Sequence, residues 1–419
     1  MKNFVLVVFV VTLFATGHLF AQQLAIRAGN LIDPGTVTVT KNQIILIKEG
    51  KIAEVGPRVS IPRDAQVVDL SNSWVLPGLI DAHTHITFVM PLGGLDIGAS
   101  YLKEGTGLRA LRGAYNAKIL LEAGFTAVRD VGNAANYADI DLRKALEKGW
   151  FPGPTIIATG KIIAPFGGQL QAVPPEQGLF WQFEYIDADT PDEIRKAIRR
   201  NIFYGARAIK LVTDNSAYYY STEEIRAAVT EAHNAGMVVC VHVLGGEAAR
   251  NVIMGGAESI EHGFLLSDEL LQLMKEKGTV LVGTDFPEEH LKAFGYDPII
   301  EGKTMGQHIV DRLRRAYKIG VKMAFGTDIV VELPGKTRAD MTFDYLDVWL
   351  AAGIPPAHIL KCMTVNAAEL LRIDKERGSI AVGLAADAIA TPQNPLDDIK
   401  ALKRVSFVMK DGKVIRHSK

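Results

Sequence analysis

The sequence predicts a (β/α)8 barrel of the TIM type, an α/β fold, carrying a small β-sandwich formed by the N- and C-terminal segments. Three observations carry this. From residue 77 onward, short apolar β-rich runs alternate with segments of helical period, the pattern of βα units around a parallel sheet. Eight such runs follow one another, LPGLIDAHTH, FTAVRD, TIIATG, ARAIKL, MVVCVH, AESIEH, TVLVGTD and VKMAFGTD, and eight is the number that closes a barrel. Outside this region, residues 22–76 and 373–419 have hairpin texture, so the two ends can pair into one β module flanking a barrel domain over 77–372.

Taken in order, the chain opens with a secretory pattern. Met1, Lys2 and Asn3 precede an apolar run over residues 4–14 and a mixed stretch that can be cleaved after Ala21. Residues 1–21 therefore read as a signal peptide, with an uncleaved membrane anchor as the alternative. The mature protein is expected in the periplasm or outside the cell, with no membrane contact after cleavage. In the β module that follows, IILIKEGKIAEV reads as a hairpin turning at Glu49-Gly50. Within the barrel, helices are expected over residues 111–123, 137–148, 190–204, 222–235, 247–254, 267–277 and 308–318. Two more, 341–352 and 355–371, follow the eighth strand. Residues 161–185 are irregular and rich in Gly, Pro and aromatics, among them Phe166, Phe180, Trp181 and Phe183. A loop that long inside a compact domain is usually functional, and it is the expected lid.

The composition narrows the partners. In 419 residues, Lys+Arg 46 against Asp+Glu 47 leaves a net charge of -1, so no single-sign field is available to hold nucleic acid or an anionic membrane. A small-molecule substrate is the expected partner. A homo-oligomer is compatible with such a barrel, but no interface is legible. Two cysteines, Cys240 and Cys362, do not make a disulfide scaffold, and both read as small buried hydrophobes.

In such a barrel, chemistry gathers at the C-terminal ends of the strands. His83 and His85 end strand 1, and because side chains alternate along a strand they share one face. Two imidazoles so placed make half of a metal site. Lys210 ends strand 4, His242 strand 5, His262 strand 6 and Asp328 strand 8. A lone His242 or His262 would more simply be a hydrogen-bonded core histidine, with Glu261 satisfying His262. Lys210 is harder to explain that way, since an ammonium is costly to bury unpaired. Asp285 also ends a strand as Gly-Thr-Asp, but strand 8 lies beside strand 1 in a closed barrel, which selects Asp328. Tyr218, Tyr219 and Tyr220 follow Lys210, and Tyr220 is the phenol expected to donate to a developing oxyanion or a substrate carboxylate, against a reading as loop packing.

PGLIDAHTH, the strand-4 lysine, the histidines of strands 5 and 6 and the final GTD together resemble the amidohydrolase superfamily. The likeness runs from AGNLID and EGKIAEVG to TVNAAELL and GSIAVGLAADAIA, and its nearest branch is the imidazolonepropionase-like one that includes Xaa-Pro dipeptidases. This resemblance implies two Zn2+ ions. His83, His85 and Asp328 would hold one and His242 and His262 the other, with Lys210 carboxylated by CO2 as the bridge. It further implies hydrolysis of the amide of a dipeptide or N-acyl amino acid, with Asp328 as general base and then general acid. Imidazolonepropionase is similar in texture but uses a single metal without this lysine. Gly167-Gly168-Gln169 stands where Gly-Gly-His is common in the dipeptidases, a departure that bears on proline specificity. A cyclic-amide or lactam hydrolase, a deaminase and a non-catalytic metal-binding protein of the same fold are the alternatives.

Overall fold

The computed structural model describes residues 23–90, 92–93, 101–170, 174–214, 218–293, 295–296 and 298–418. The expected signal segment lies outside these residues, as do residues 171–173 of the expected lid. Among the described residues no helix is long and apolar enough to cross a membrane.

The chain ends pair in one continuous seven-stranded sheet. Its order in space is Lys413–His417, Phe407–Lys410, Ala388–Thr391, Gln66–Pro77, Leu24–Asp33, Thr38–Lys48 and Lys51–Gly56. The hairpin turns at Glu49 and Gly50, both with positive φ (52° and 77°), which a two-residue turn matching the strand twist requires. The sheet folds back on itself: Ile52 N donates to Leu384 O at 2.9 Å and Ala386 N to Gly50 O at 2.8 Å. Ile26, Ile45, Val68, Val75 and Phe407 fill the core this encloses.

Eight parallel segments form the second body. Strands Leu79–Thr84, Phe125–Asp130 and Thr155–Ala158 make one ladder, and Ile209–Val212, Val239–Gly245, Ser259–Leu265 and Val280–Val282 make another. The third strand joins the two because it bends. Its first half pairs with strand 2, and its continuation Ile162–Ala164 pairs with strand 4 through Ile163 and Leu211. The eighth segment, residues 323–328, has no regular ladder and is held by single bonds. Ala324 N donates to Leu281 O at 3.0 Å, Ala82 N to Phe325 O at 2.8 Å and Asp328 N to His83 O at 2.8 Å, which closes the ring between strands 7 and 1. Ile80, Ala127, Ile157, Ala208, Val280 and Ala324 meet inside, against Ala367, Ala368 and Leu371.

The helix expected over 355–371 is two helices, Pro356–Cys362 and Val365–Leu370. The barrel explains the break. Cys362 O and Met363 O accept from Phe325 N and Ile80 N, at 3.1 and 2.7 Å. These main-chain amides at the closed end of the barrel would otherwise be buried without partners.

Candidate metal centre

The site is set by how strand 8 meets strand 1. A Cβ on Gly326 would lie 2.4 Å from Val282 Cγ1 and 2.8 Å from His83 Cβ, so only glycine lets the two backbones approach this closely. Asp81, on the same strand as His83, accepts from His83 N at 3.1 Å, Thr327 N at 3.2 Å and Thr327 Oγ1 at 2.7 Å. This locks the register. Asp328 then takes a left-handed backbone, φ 54°, which breaks strand alternation so that Thr327 and Asp328 both reach strand 1. His262 does the same on strand 6, with φ 71°: Glu261 and His262 are neighbours in sequence, yet both face His83. Left-handed non-glycine residues cost on the order of 1–3 kcal/mol each and cluster at functional sites.

The side chains converge on Asp328. His85 Nε2 lies 3.2 Å and His83 Nε2 3.6 Å from its Oδ1, and His262 Nδ1 lies 3.6 Å from its Oδ2. One ligand atom from each of His83, His85 and Asp328 falls within 4.8 Å of the other two. The His242 ring stacks edge-on to His262 with centroids 4.3 Å apart. Lys210 lies within the neighbouring strand, Ile209–Val212, opposite Cys240 and two residues before Val212, which pairs with His242. The structure thus brings together the five sequence-predicted His and Asp positions, with Lys210 beside them.

Each imidazole also points one nitrogen at an oxygen of the protein. His83 Nδ1 meets Glu261 Oε2 at 2.5 Å, His85 Nδ1 meets Gly132 O at 2.7 Å, His262 Nδ1 meets Thr284 Oγ1 at 2.8 Å, and His242 Nε2 faces Asp214 Oδ1 at 3.5 Å. Such outer contacts fix tautomer and ring orientation in metal sites. The orphan they leave is telling: His83 Nε2 is buried with no hydrogen-bond partner. A buried acceptor in that state costs free energy, and a cation would satisfy it.

The charges agree. Burial, reinforced by the positive charge of Lys210, pushes His242 down to about 3, and burial with His242 beside it pushes His262 well below its ordinary value. Both are therefore neutral, as ligands must be. Burial works against the Asp328 carboxylate, but the neighbouring His83 and His85, with the hydrogen bond from His85, hold it well below the usual carboxylate range. Lys210, only 2% exposed, has its ammonium pushed down chiefly by burial. Neutral His242 and His262, an ionised carboxylate and an amine that burial drives towards its neutral form fit a borderline-soft divalent metal.

Other expectations are corrected. Tyr220 is fully buried, and its phenol O–H donates to Ala188 O at 2.7 Å, so it packs the loop and is not the oxyanion donor. Tyr220→Phe is expected to leave kcat within about twofold and to cost about 1 kcal/mol of stability, read from turnover and denaturant midpoint. A hundredfold fall in kcat would return Tyr220 to the reaction. Asp285, passed over as a ligand in favour of Asp328, pairs with buried Arg312 at 2.9 Å. Glu261 serves His83 rather than its neighbour His262. His290, in the helix Glu288–Ala293, is buried. In the lid region, Trp181 and Tyr185 are buried and Tyr185 O–H donates to Gln169 Oε1 at 2.9 Å, while Phe166 is 61% exposed.

Known proteins resemble this chain over most of its length. The family model described as "Amidohydrolase family" matches residues 74–415. Ochratoxinase of Aspergillus niger is 30% identical over 94% of this chain and 87% of its own. Imidazolonepropionase of Shewanella frigidimarina is 27% identical over 91% of this chain and 94% of its own. A crystal structure of a Xaa-Pro dipeptidase with bound methionine in the active site superposes with a TM-score of 0.80 at 31% identity, covering 94% of this chain and 99% of that one.

Proposed function

The chain belongs to the amidohydrolase family and is a hydrolase, and from that premise we propose that it cleaves the amide of a dipeptide or N-acyl amino acid using two Zn2+ ions. The observation that carries the reading is the convergence of His83, His85 and His262 on one ionised carboxylate, with His242 and the buried Lys210 alongside. His83, His85 and Asp328 would hold one ion and His242 and His262 the other. Lys210, carboxylated by CO2 with release of a proton, would bridge them: the reaction turns a group whose ammonium form burial penalises into an anion with two ligand oxygens. Bound there, the ions supply an ionised water at neutral pH and polarise the scissile carbonyl.

The chain's own groups do the rest. Asp328 takes the proton from the attacking water and hands it to the leaving amine, general base and then general acid. The imidazoles, held by Glu261, Gly132 O, Thr284 and Asp214, keep the donor atoms in place without reorganisation. The Xaa-Pro dipeptidase likeness supports a dipeptide. Hydrolysis of dipeptides and N-acyl amino acids by the full chain, abolished by a chelator and restored by Zn2+, is the expected result. Opening of cyclic amides with no turnover of linear ones would overturn the substrate class.

The N-terminal pattern supports export, with residues 1–21 removed and the protein in the periplasm or outside the cell. The intact mass of exported protein is expected to begin at Gln22, and a mass retaining Met1 would favour an anchor instead.

A further inference from the structure

Eight Asp and Glu side chains are buried among the described residues, and seven of them have a donor or a cation. Asp130 accepts from Ile86 N at 2.8 Å and Asp139 from Asn133 Nδ2 at 2.9 Å, while Glu261 and Asp285 pair with Arg129 and Arg312 at 2.7 and 2.9 Å. Asp81, Glu224 and Asp387 accept from Thr327, Tyr218 and Lys410 in the same way. Glu184 is the exception. It is 3% exposed, and its Oε2 is buried with no hydrogen-bond partner. Among the described residues no Lys, Arg or His reaches ion-pair distance of it, and burial pushes its carboxyl up to about 8. Its main chain is fixed on both sides all the same: Glu184 N donates to Trp181 O at 2.9 Å, and Ile162 N donates to Glu184 O at 3.0 Å. A buried carboxyl costs free energy until something pairs with it. One held in place without a partner within the chain suits a partner from outside it.

The place of this carboxyl says what the partner is. A Cβ on Gly132 would lie 2.7 Å from Glu184 Oε1 and 2.9 Å from His85 Cε1, so the carboxyl and the imidazole close on the same backbone position. His85 in turn faces Asp328, with Nε2 at 3.2 Å from Oδ1. Phe88 lies against both His85 and Tyr101, with ring centroids 6.5 and 5.9 Å apart, and the Tyr101 hydroxyl stands 3.5 Å from that of Tyr185, the residue after Glu184. The geometry points to Glu184 as the group that receives a substrate ammonium on the acyl side of the scissile amide. A carbonyl held beside His85 has its α-nitrogen about 2.5 Å from the carbonyl carbon, which puts an α-ammonium in the space that Glu184 borders. An ammonium brings both a charge and three donors, and a charge-assisted hydrogen bond is the strong kind. An N-acyl amino acid has no such cation. The inference therefore rests on the amide-hydrolase reading above and chooses between its two substrate kinds, in favour of the dipeptide with a free amine.

The test compares three acyl groups on the C-terminal amino acid that the full, metal-replete chain releases fastest. Alanyl carries an α-ammonium, N-propionyl is the same group without it, and N-(6-aminohexanoyl) carries an ammonium only where a lysine side chain would. Wild type is expected to favour alanyl over propionyl by about 10–100-fold in kcat/KM, the worth of one hydrogen bond to a charged group. In Glu184→Gln that ratio should fall to within about threefold of one. The ratio is the readout because a merely structural Glu184 would lower both rates together and leave it unchanged. Preference for 6-aminohexanoyl instead, lost in Glu184→Gln, would still support the ammonium site and name a lysine side chain as its source. If Glu184→Gln does not fold, Glu184→Met is read in its place. A wild type that treats propionyl as well as either amine, or a preference that survives the substitution, overturns the inference and leaves amide hydrolysis standing. A wild type that turns over none of the three overturns the proposed function and this inference with it.

Discussion

Lys210→Met is expected to lose one of the two ions and about 10²–10³-fold in kcat/KM, the size seen when a preorganised electrostatic group is removed from an active site. The opposite expectation holds for stability. Among the described residues, Lys210 donates no hydrogen bond and has no carboxylate within ion-pair distance of its ammonium, although it is 2% exposed. A lysine placed there to hold the fold would be paired. Methionine keeps most of the volume and removes the desolvated amine, so the metal-free variant should be at least as stable as metal-free wild type. Ion content, turnover and denaturant midpoint together decide it. A variant that keeps both ions and full activity, or one that loses stability without losing metal, would make Lys210 a structural residue. Activity should also fall in protein prepared without CO2 and return with bicarbonate.

Asp328→Asn is expected to lower kcat by about 10²–10⁴-fold, the range for a general base. The asparagine can still sit beside His83 and His85, but it cannot accept a proton from water. Wild-type Asp328, which His83 and His85 hold far below the usual carboxylate range against the effect of burial, stays ionised throughout the neutral region. The acid limb of kcat should therefore not report a carboxylate near pH 4. Hydrolysis undiminished in Asp328→Asn would remove Asp328 from the proton transfer.

The strand ends were legible because apolar runs finishing in His, Lys or Asp are conspicuous, and alternation along strand 1 pairs His83 with His85. What surrounds them was not legible. Glu261 lies next to His262 in sequence, but the left-handed backbone of His262 turns both towards strand 1, so the carboxylate reaches His83, 178 residues away. Arg129 read as one charge in FTAVRD, a small strand whose interior face the sequence leaves open. Tyr220 was placed at the barrel mouth by its distance from Lys210, but chain spacing does not say which way a ring turns, and it turns to Ala188 O. The break after Cys362 depends on strand amides over 35 residues away that need acceptors. Local pattern locates elements and their ends; the long-range hydrogen bonds that orient side chains have no local pattern to read.

The most direct test of the central claim is the number of ions bound per freshly purified, metal-replete chain, measured by elemental analysis against protein concentration. Two ions per chain, with loss of amide hydrolysis when they are stripped and recovery on adding Zn2+, is the predicted result. A single ion per chain at full hydrolytic activity, with Lys210 intact, would contradict it.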